Sequence, residues 1–235
     1  MPLASDDLDR FDALTFDCYG TLIDWETGLL AAMRRALGAP GLDASDNDLL
    51  ERYARHEAAL EAGPYRRYRE VLASGLARVA SELGMTPSDR ELTAFGDSVG
   101  DWPAFPDSAD ALARLHTRFR LVVLTNCDDD LFGASNRRLG VTFDEVITAQ
   151  QLGSYKPAER NFHAAFERLE LPRERILHVA QSLFHDHVPA KALGMTTVWV
   201  NRRHDRPGSG ATPPAIVTPD LVVPDMASLA AFAGV

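Results

Sequence analysis

Short apolar runs alternating with amphipathic segments occupy the chain from residue 103 to its end, and this alternation restricts the fold more than any other feature of the sequence. Runs at 121–124, 145–148, 176–180 and 197–200 have strand length, while the stretches between them, 129–139, 158–169 and 188–193, carry apolar residues at helical spacing. Each strand is therefore followed by a helix that crosses back over the sheet. That order predicts an α/β fold, a doubly wound parallel sheet with right-handed connections. A further run at 13–16, Ala-Leu-Thr-Phe, supplies the first strand, and 221–223 supplies a late edge strand before a helix at 227–233. Another helix is expected at 107–117, and the Arg-, Gly- and Pro-rich stretch 202–214 reads as a surface loop.

Between 24 and 102 the alternation stops. Four amphipathic stretches, 27–37, 47–61, 65–83 and 88–99, each run up to a glycine with no strand between them. The expectation is an all-helical cap, residues 24–102, inserted after the first strand into a Rossmann-like core made of 1–23 and 103–235. A cap in that place closes over the carboxyl edge of the sheet and excludes water.

At 235 residues, with 46% apolar and 25% charged side chains, the chain is long enough for a sizeable core and a subsidiary domain. Its net charge of -10 argues against nucleic acid and anionic membranes as partners, since both repel it at long range. No apolar run approaches the roughly 18 residues that span a bilayer, and residues 1–10 are polar and acidic where a secretory signal is basic and then apolar. A cytoplasmic protein is expected. Cys18 and Cys127 make no disulfide framework; each follows an apolar run, which places both near strand ends and makes Cys18 a candidate for alkylation.

Ligands of open α/β sheets bind beyond the carboxyl ends of the strands, so polar residues just past the apolar runs are the candidates for chemistry. Asp17 follows the first run in Phe16-Asp17-Cys18-Tyr19-Gly20-Thr21-Leu22. Thr125 and Asn126 follow the second, Lys156 with Pro157 lies beyond the third, and Asp186 beyond the fourth. His185, Asp186 and His187 stand in a row, but neighbours in sequence do not share a face, so no metal site is expected there.

These four elements in this order, with a cap after the first, resemble the haloacid dehalogenase superfamily of hydrolases over essentially the whole chain. The resemblance implies that Asp17 is the nucleophile, that Lys156 steadies its charge and that Asp186 completes the site. It implies further that Thr125, Asn126 and backbone amides near Cys18 and Tyr19 bind the substrate's anionic group. Phosphatases of the superfamily carry a second aspartate two residues after the nucleophile, which protonates the leaving alkoxide and then activates water. Here that position is Tyr19, whose ordinary pKa near 10 makes it a poor substitute at neutral pH. In this the chain is similar to the branch that attacks carbon, the L-2-haloacid dehalogenases.

That branch places a serine and an asparagine ahead of the last aspartate and a tyrosine after the lysine, where this chain has Gln181, Leu183 and Phe162. The segments 178–187, 24–28, 102–107 and 153–157 are more similar to azetidine-2-carboxylate hydrolases, which open a strained four-membered imino acid. Both resemblances imply one plan. Asp17 displaces a leaving group from a saturated carbon of a small carboxylate, and water hydrolyses the resulting ester, with no metal or other cofactor. Arg52 or Arg55 of the cap is expected to balance the substrate's charge, Gln181 to hold the hydrolytic water, and Trp25 to form an apolar wall with Tyr65, Trp102 and Phe105. A small-molecule carboxylate is the expected partner, and the resemblance allows a homodimer. Two other readings stay open: a Mg2+-dependent phosphatase with Asp17, the Tyr19 carbonyl and Asp186 as oxygen ligands, and a family member that binds without catalysing.

Overall fold

The computed structural model describes residues 3–38, 44–206 and 210–235. Six strands, β1 (Ala13–Phe16), β2 (Arg120–Thr125), β3 (Glu145–Thr148), β4 (Ile176–Ala180), β5 (Thr196–Val200) and β6 (Leu221–Val223), pair in parallel in the order β3-β2-β1-β4-β5-β6. All four residues of β1 are buried, as a parallel strand covered on both faces requires, which is why its sequence is almost continuously apolar. Its side chains still divide between two cores. Leu14 and Phe16 join Val123 and Val179 on one face, and Ala13 joins Val122, Leu124 and Ile176 on the other. The order of strands reverses at β1, which lies between β2 and β4, so the carboxyl end of β1 is the switch point where such sheets bind ligands.

Between the end of β1 and residue 97 the described residues form four α-helices with no strand among them: α1 (Trp25–Leu37), α2 (Asp46–Glu61), α3 (Tyr68–Glu82) and α4 (Asp89–Gly96). They form the helical cap. The chain leaves and re-enters the core along paired linkers. Asp24 N donates to Pro103 O at 2.8 Å, Phe105 N to Leu22 O at 3.0 Å, and Ile23 bridges Ala104 antiparallel. Asp24 also caps α1 by accepting from Thr27 N at 3.2 Å. Gly28 lets α1 approach the returning linker, since a Cβ there would stand 2.2 Å from Trp102 Cγ. Arg202 fastens both linkers from the core side. Its guanidinium lies 4.0 Å from the Phe105 ring centroid and bonds Thr21 O at 2.9 Å and Asp107 at 2.8 Å. The start of the expected surface loop 202–214 is thus packed against the cap linkers; its residues 207–209 lie outside the described ones.

The remaining helices, α5 (Ser108–Leu115), α6 (Asp129–Leu139), α7 (Ala149–Leu152), α8 (Arg160–Leu169), α9 (Val188–Ala192) and α10 (Met226–Phe232), interleave with the strands as the alternation predicts. In α8, Phe162, Ala165 and Leu169 form the apolar stripe that covers one sheet face. Four details depart from the sequence reading. α3 begins at Tyr68, α4 gives way to a 3-10 turn at Ser98–Asp101, and α7 and a π-helical turn at Leu183–His187 were not expected. Single turns are too short for periodicity to show in a sequence. Among the described residues no helix is long and apolar enough to cross a membrane.

Candidate active site

Asp17 follows β1 directly and is still tied to β4, its N–H donating to Val179 O at 3.1 Å. The chain then turns tightly. Cys18 O accepts from the N–H groups of Thr21, Leu22 and Ile23, and Gly20 sits at φ 91°, where residues with a Cβ are strained. This turn returns Thr21 Oγ1 to 2.6 Å from Asp17 Oδ2. Lys156 enters from beyond β3, and its Nζ donates to Asp17 Oδ1 at 2.9 Å, Asp186 Oδ1 at 2.7 Å and Leu124 O at 2.9 Å. All three of its donors are used. His178, fully buried on β4, places Nε2 3.0 Å from Asp186 Oδ1 and Nδ1 2.9 Å from Thr15 Oγ1.

The two carboxylates differ in consequence. Burial works to raise Asp186, but Lys156 and His178 outweigh it and hold that carboxyl well below the ordinary range. Burial pushes Asp17 up, the Asp186 charge adds to this, and Lys156 and Thr21 only partly oppose it. Burial also works against the Lys156 charge, yet its two carboxylate partners prevail and raise it above the usual lysine value. Asp17 is therefore the less stabilised and more basic carboxylate of the pair.

The cap supplies the roof. Glu57 and Glu61 stand one turn apart on α2, and Tyr68 opens α3. Glu57 Oε1 accepts from Tyr53 and Tyr68 at 3.2 and 3.0 Å, and burial raises its carboxyl to about 7. Burial, reinforced by Glu57, pushes Glu61 well above the ordinary range. Asn126 Nδ2 donates to Glu61 at 3.3 Å and to Lys156 O at 3.0 Å, while its Oδ1 accepts from Lys156 N at 2.7 Å. His185 Nε2 lies 3.5 Å from Glu61 Oε2, and burial pushes this imidazole down to about 4. Between floor and roof lies a cavity of about 30 Å3, with Trp25, Tyr19 and Ser182 at its sides. It adjoins a cleft of about 390 Å3 that shares Glu61, Lys156 and His185 with it.

The expected site residues distribute as follows. Asp17, Lys156, Asp186, Asn126, Tyr19 and Trp25 line the cavity. The Tyr19 hydroxyl is committed elsewhere, to Ser135 Oγ at 3.0 Å and the Cys127 thiol at 3.3 Å, and burial pushes its pKa well up. Cys18 is wholly buried in the core and burial raises its thiol strongly, which corrects the expectation that it is open to alkylation. Thr125 is buried at the end of β2 with Oγ1 unpartnered among the described residues, but it is not among the cavity walls. The Gln181 side chain is not among the cavity walls; its Oε1 lies against Gly20 and accepts from Thr212 at 3.3 Å. Phe162 packs edge-on against His178 at 5.3 Å, beneath the site. Tyr65 lines the outer cleft, while Trp102 packs against Tyr19 and Phe105 lies under Arg202.

Neither expected arginine reaches the site. Arg52 pairs with Asp48 and Glu82 at 2.8 Å each, and Arg55 faces a separate cleft of about 960 Å3 that Leu183 also lines. At about 100° per residue, Arg52 and Arg55 point roughly 140° and 160° away from Glu57 around α2. The roof that sequence reasoning missed carried a signal: Tyr53, Glu57 and Glu61 recur every four residues on a stripe with Leu50, Ala54 and Leu60. Acidic residues on the apolar face of an amphipathic helix have a reason to be there. Among the described residues no group of three or more His, Cys, Asp and Glu side chains is placed to hold a metal ion. Lys156 occupies Oδ1 of both Asp17 and Asp186 and Thr21 occupies Asp17 Oδ2, which leaves Asp186 Oδ2 as the one oxygen of the pair without a partner among the described residues, a sparse donor set for a Mg2+.

Comparison with known proteins places this arrangement. The chain is 26% identical over 228 residues to haloacetate dehalogenase H-2 of Moraxella sp. (strain B), covering 93% of this chain and 96% of that protein. It is 29% identical over 240 residues to the 5-amino-6-(5-phospho-D-ribitylamino)uracil phosphatase YigB of Escherichia coli (strain K12), covering 94% and 96%. The structure of L-2-haloacid dehalogenase from Xanthobacter autotrophicus superposes with a TM-score of 0.81 at 23% identity, covering 95% of this chain and 98% of that one. The family model of haloacid dehalogenase-like hydrolases matches residues 11–192, and the chain belongs to that family.

Proposed function

We propose that this hydrolase attacks a saturated carbon of a small 2-substituted carboxylate, a 2-haloacid or a strained cyclic imino acid, through an ester on Asp17. The observation that carries this reading is the environment of Asp17: a basic buried carboxylate is steadied by Lys156 and Thr21, and the position that would hold a phosphatase's proton carrier holds a tyrosine whose hydroxyl faces Ser135. One Asp17 oxygen bonds to the substrate carbon as the leaving group departs with its electron pair. Water then attacks Cγ of Asp17, the ester's acyl carbon, and the hydroxy acid leaves carrying the original Asp17 oxygen. Lys156 keeps Asp17 ionised before attack and screens it from Asp186 throughout. The site has room for a water or two, so a substrate enters with some displacement of the cap. No cofactor takes part in this scheme.

One turnover in 18O-labelled water tests it. With L-2-chloropropionate or L-azetidine-2-carboxylate in EDTA, the first equivalent of product is expected unlabelled and the Asp17 peptide labelled; Asp17→Asn forms no product. Label in the first product would refute the ester. A second reading, phosphomonoester hydrolysis, draws on the similarity to the Escherichia coli phosphatase. It predicts instead that activity on phosphate esters requires Mg2+ and is abolished by EDTA.

A further inference from the structure

Gln181 and Leu183 take no part in the cavity over Asp17; both line the cleft of about 960 Å3 instead. The water that hydrolyses the Asp17 ester is therefore held by other groups, and three polar atoms are placed for it. Trp25 Nε1, His185 Nε2 and Asp186 Oδ2 are buried, belong to residues of the cavity wall and have no hydrogen-bond partner among the described residues. Trp25 and His185 are 6% and 8% exposed, and Asp186 is fully buried. A cavity of about 30 Å3 takes a water or two, and a buried water is well seated with roughly two to four polar partners. One donor, on Trp25, and two acceptors, on Asp186 and His185, match what a water molecule needs.

The π-helical turn orients His185 as an acceptor. Ser182 Oγ accepts from His185 N at 2.9 Å and lies 3.1 Å from Nδ1. An imidazole hydrogen on Nδ1 is bonded to Ser182 within the turn, which leaves the lone pair on Nε2 for the cavity. Nothing from the cap takes that lone pair, since Glu61 Oε2 stands 3.5 Å away, too far for an O–H donor. Asp186 Oδ2 is the poorer proton acceptor of the two. Burial works to raise that carboxyl, but Lys156 and His178 hold it well below the ordinary range. Burial keeps the imidazole neutral until it acts, and the adjacent Asp186 carboxylate favours its charged form once it holds a proton.

We infer that His185, oriented by Ser182, is the base that takes a proton from the hydrolytic water, while Trp25 and Asp186 seat that water. This rests on the reading of Asp17 as a nucleophile at carbon and supplies the group that its second step needs. The water oxygen bonds to Cγ of Asp17 as one of its hydrogens passes to His185 Nε2. Lys156 and Thr21, which already donate to the two Asp17 oxygens, meet the negative charge that develops there. The bond from Cγ to the bridging oxygen then breaks and its electron pair leaves with that oxygen. His185 returns the proton to it, which gives the hydroxy acid. Asp17, now a carboxylic acid, loses the water's other hydrogen to solvent and regains its charge.

Displacement at carbon passes no proton to His185, so variants at this position separate the two steps. The parent, His185→Phe and His185→Gln are mixed with L-2-chloropropionate or L-azetidine-2-carboxylate in EDTA, quenched in acid and weighed as intact protein by mass spectrometry. In both variants the ester on Asp17 is expected to accumulate. Its hydrolysis is expected to slow by about 100-fold or more, as loss of a general base brings, while its formation stays within about tenfold of the parent. Glutamine can hold the water but cannot take its proton, so His185→Gln distinguishes a base from a residue that only positions. Circular dichroism checks both folds, and His185→Gln carries the test if His185→Phe does not fold. Hydrolysis within about tenfold of the parent in either folded variant, or equal losses in ester formation and hydrolysis, would overturn the role of His185. Failure of the nucleophile reading looks different: the parent itself then places no 18O label on Asp17, and the His185 step falls with it.

Discussion

Replacing Glu57 by glutamine isolates the cost of keeping a carboxyl in the dry interior of the cap. Glu57 is 3% exposed, and its Oε1 accepts from two tyrosine hydroxyls. Burial raises its pKa from 4.5 to about 7, and a gap of that size separates the protonated and ionised limits by about 3 kcal/mol. Because the folded value lies above the unfolded one, this contribution is fully present below pH 4.5 and is lost as pH rises through 7. Glutamine keeps an oxygen for the two tyrosines and never ionises. Glu57→Gln is therefore expected to be nearly neutral at about pH 5 and to stabilise the ligand-free protein by about 2–3 kcal/mol at about pH 8. Urea unfolding of both proteins at both pH values measures it. The comparison between proteins matters, because His185 and His187 act in the opposite sense. Burial pushes both from 6.5 down to about 4, so their contribution is present above pH 6.5 and lost as pH falls toward 4. The same difference between parent and variant at both pH values would refute the reasoning.

Lys156→Met leaves Asp17 and Asp186 buried without their cation. It is expected to cost about 3 kcal/mol or more in thermal unfolding and to abolish product formation; turnover within tenfold of the parent would contradict the role given to Lys156. Tyr19→Phe removes a hydroxyl bonded to Ser135 and Cys127, so steady-state turnover is expected to fall far less than the about 100-fold that loss of a general acid–base brings. Gly28→Ala drives a Cβ into the Trp102 ring and is expected to cost about 1–3 kcal/mol by chemical denaturation, and an unchanged midpoint would show that the linker yields freely.

The floor of the site was legible in the sequence and the roof was not. Asp17, Asn126, Lys156 and Asp186 each follow an apolar run, and parallel strands bring their carboxyl ends to one edge whatever the details of packing. The roof depends on how α2 is rotated above that edge. Its sequence shows that Tyr53, Glu57 and Glu61 share a stripe and that Arg52 and Arg55 lie off it, but the stripe's destination is set by contacts with α3 and the core. Gln181 shows the same limit on a smaller scale. It precedes the π-helical turn that carries Asp186 and His185, and its side chain lies against Gly20 and Thr212, outside the cavity.

The sequence by itself determined the parallel sheet, the insertion of the helical cap and the floor residues, because the alternation of strands with helices and the polar ends of buried strands follow from hydrophobic pattern and chain connectivity. Only the tertiary structure decided which side of the cap faces Asp17. It turned the Tyr19 hydroxyl away and brought two carboxyls, in place of an arginine, over Asp17, because helix rotation and side-chain direction are fixed by packing between segments far apart in the chain.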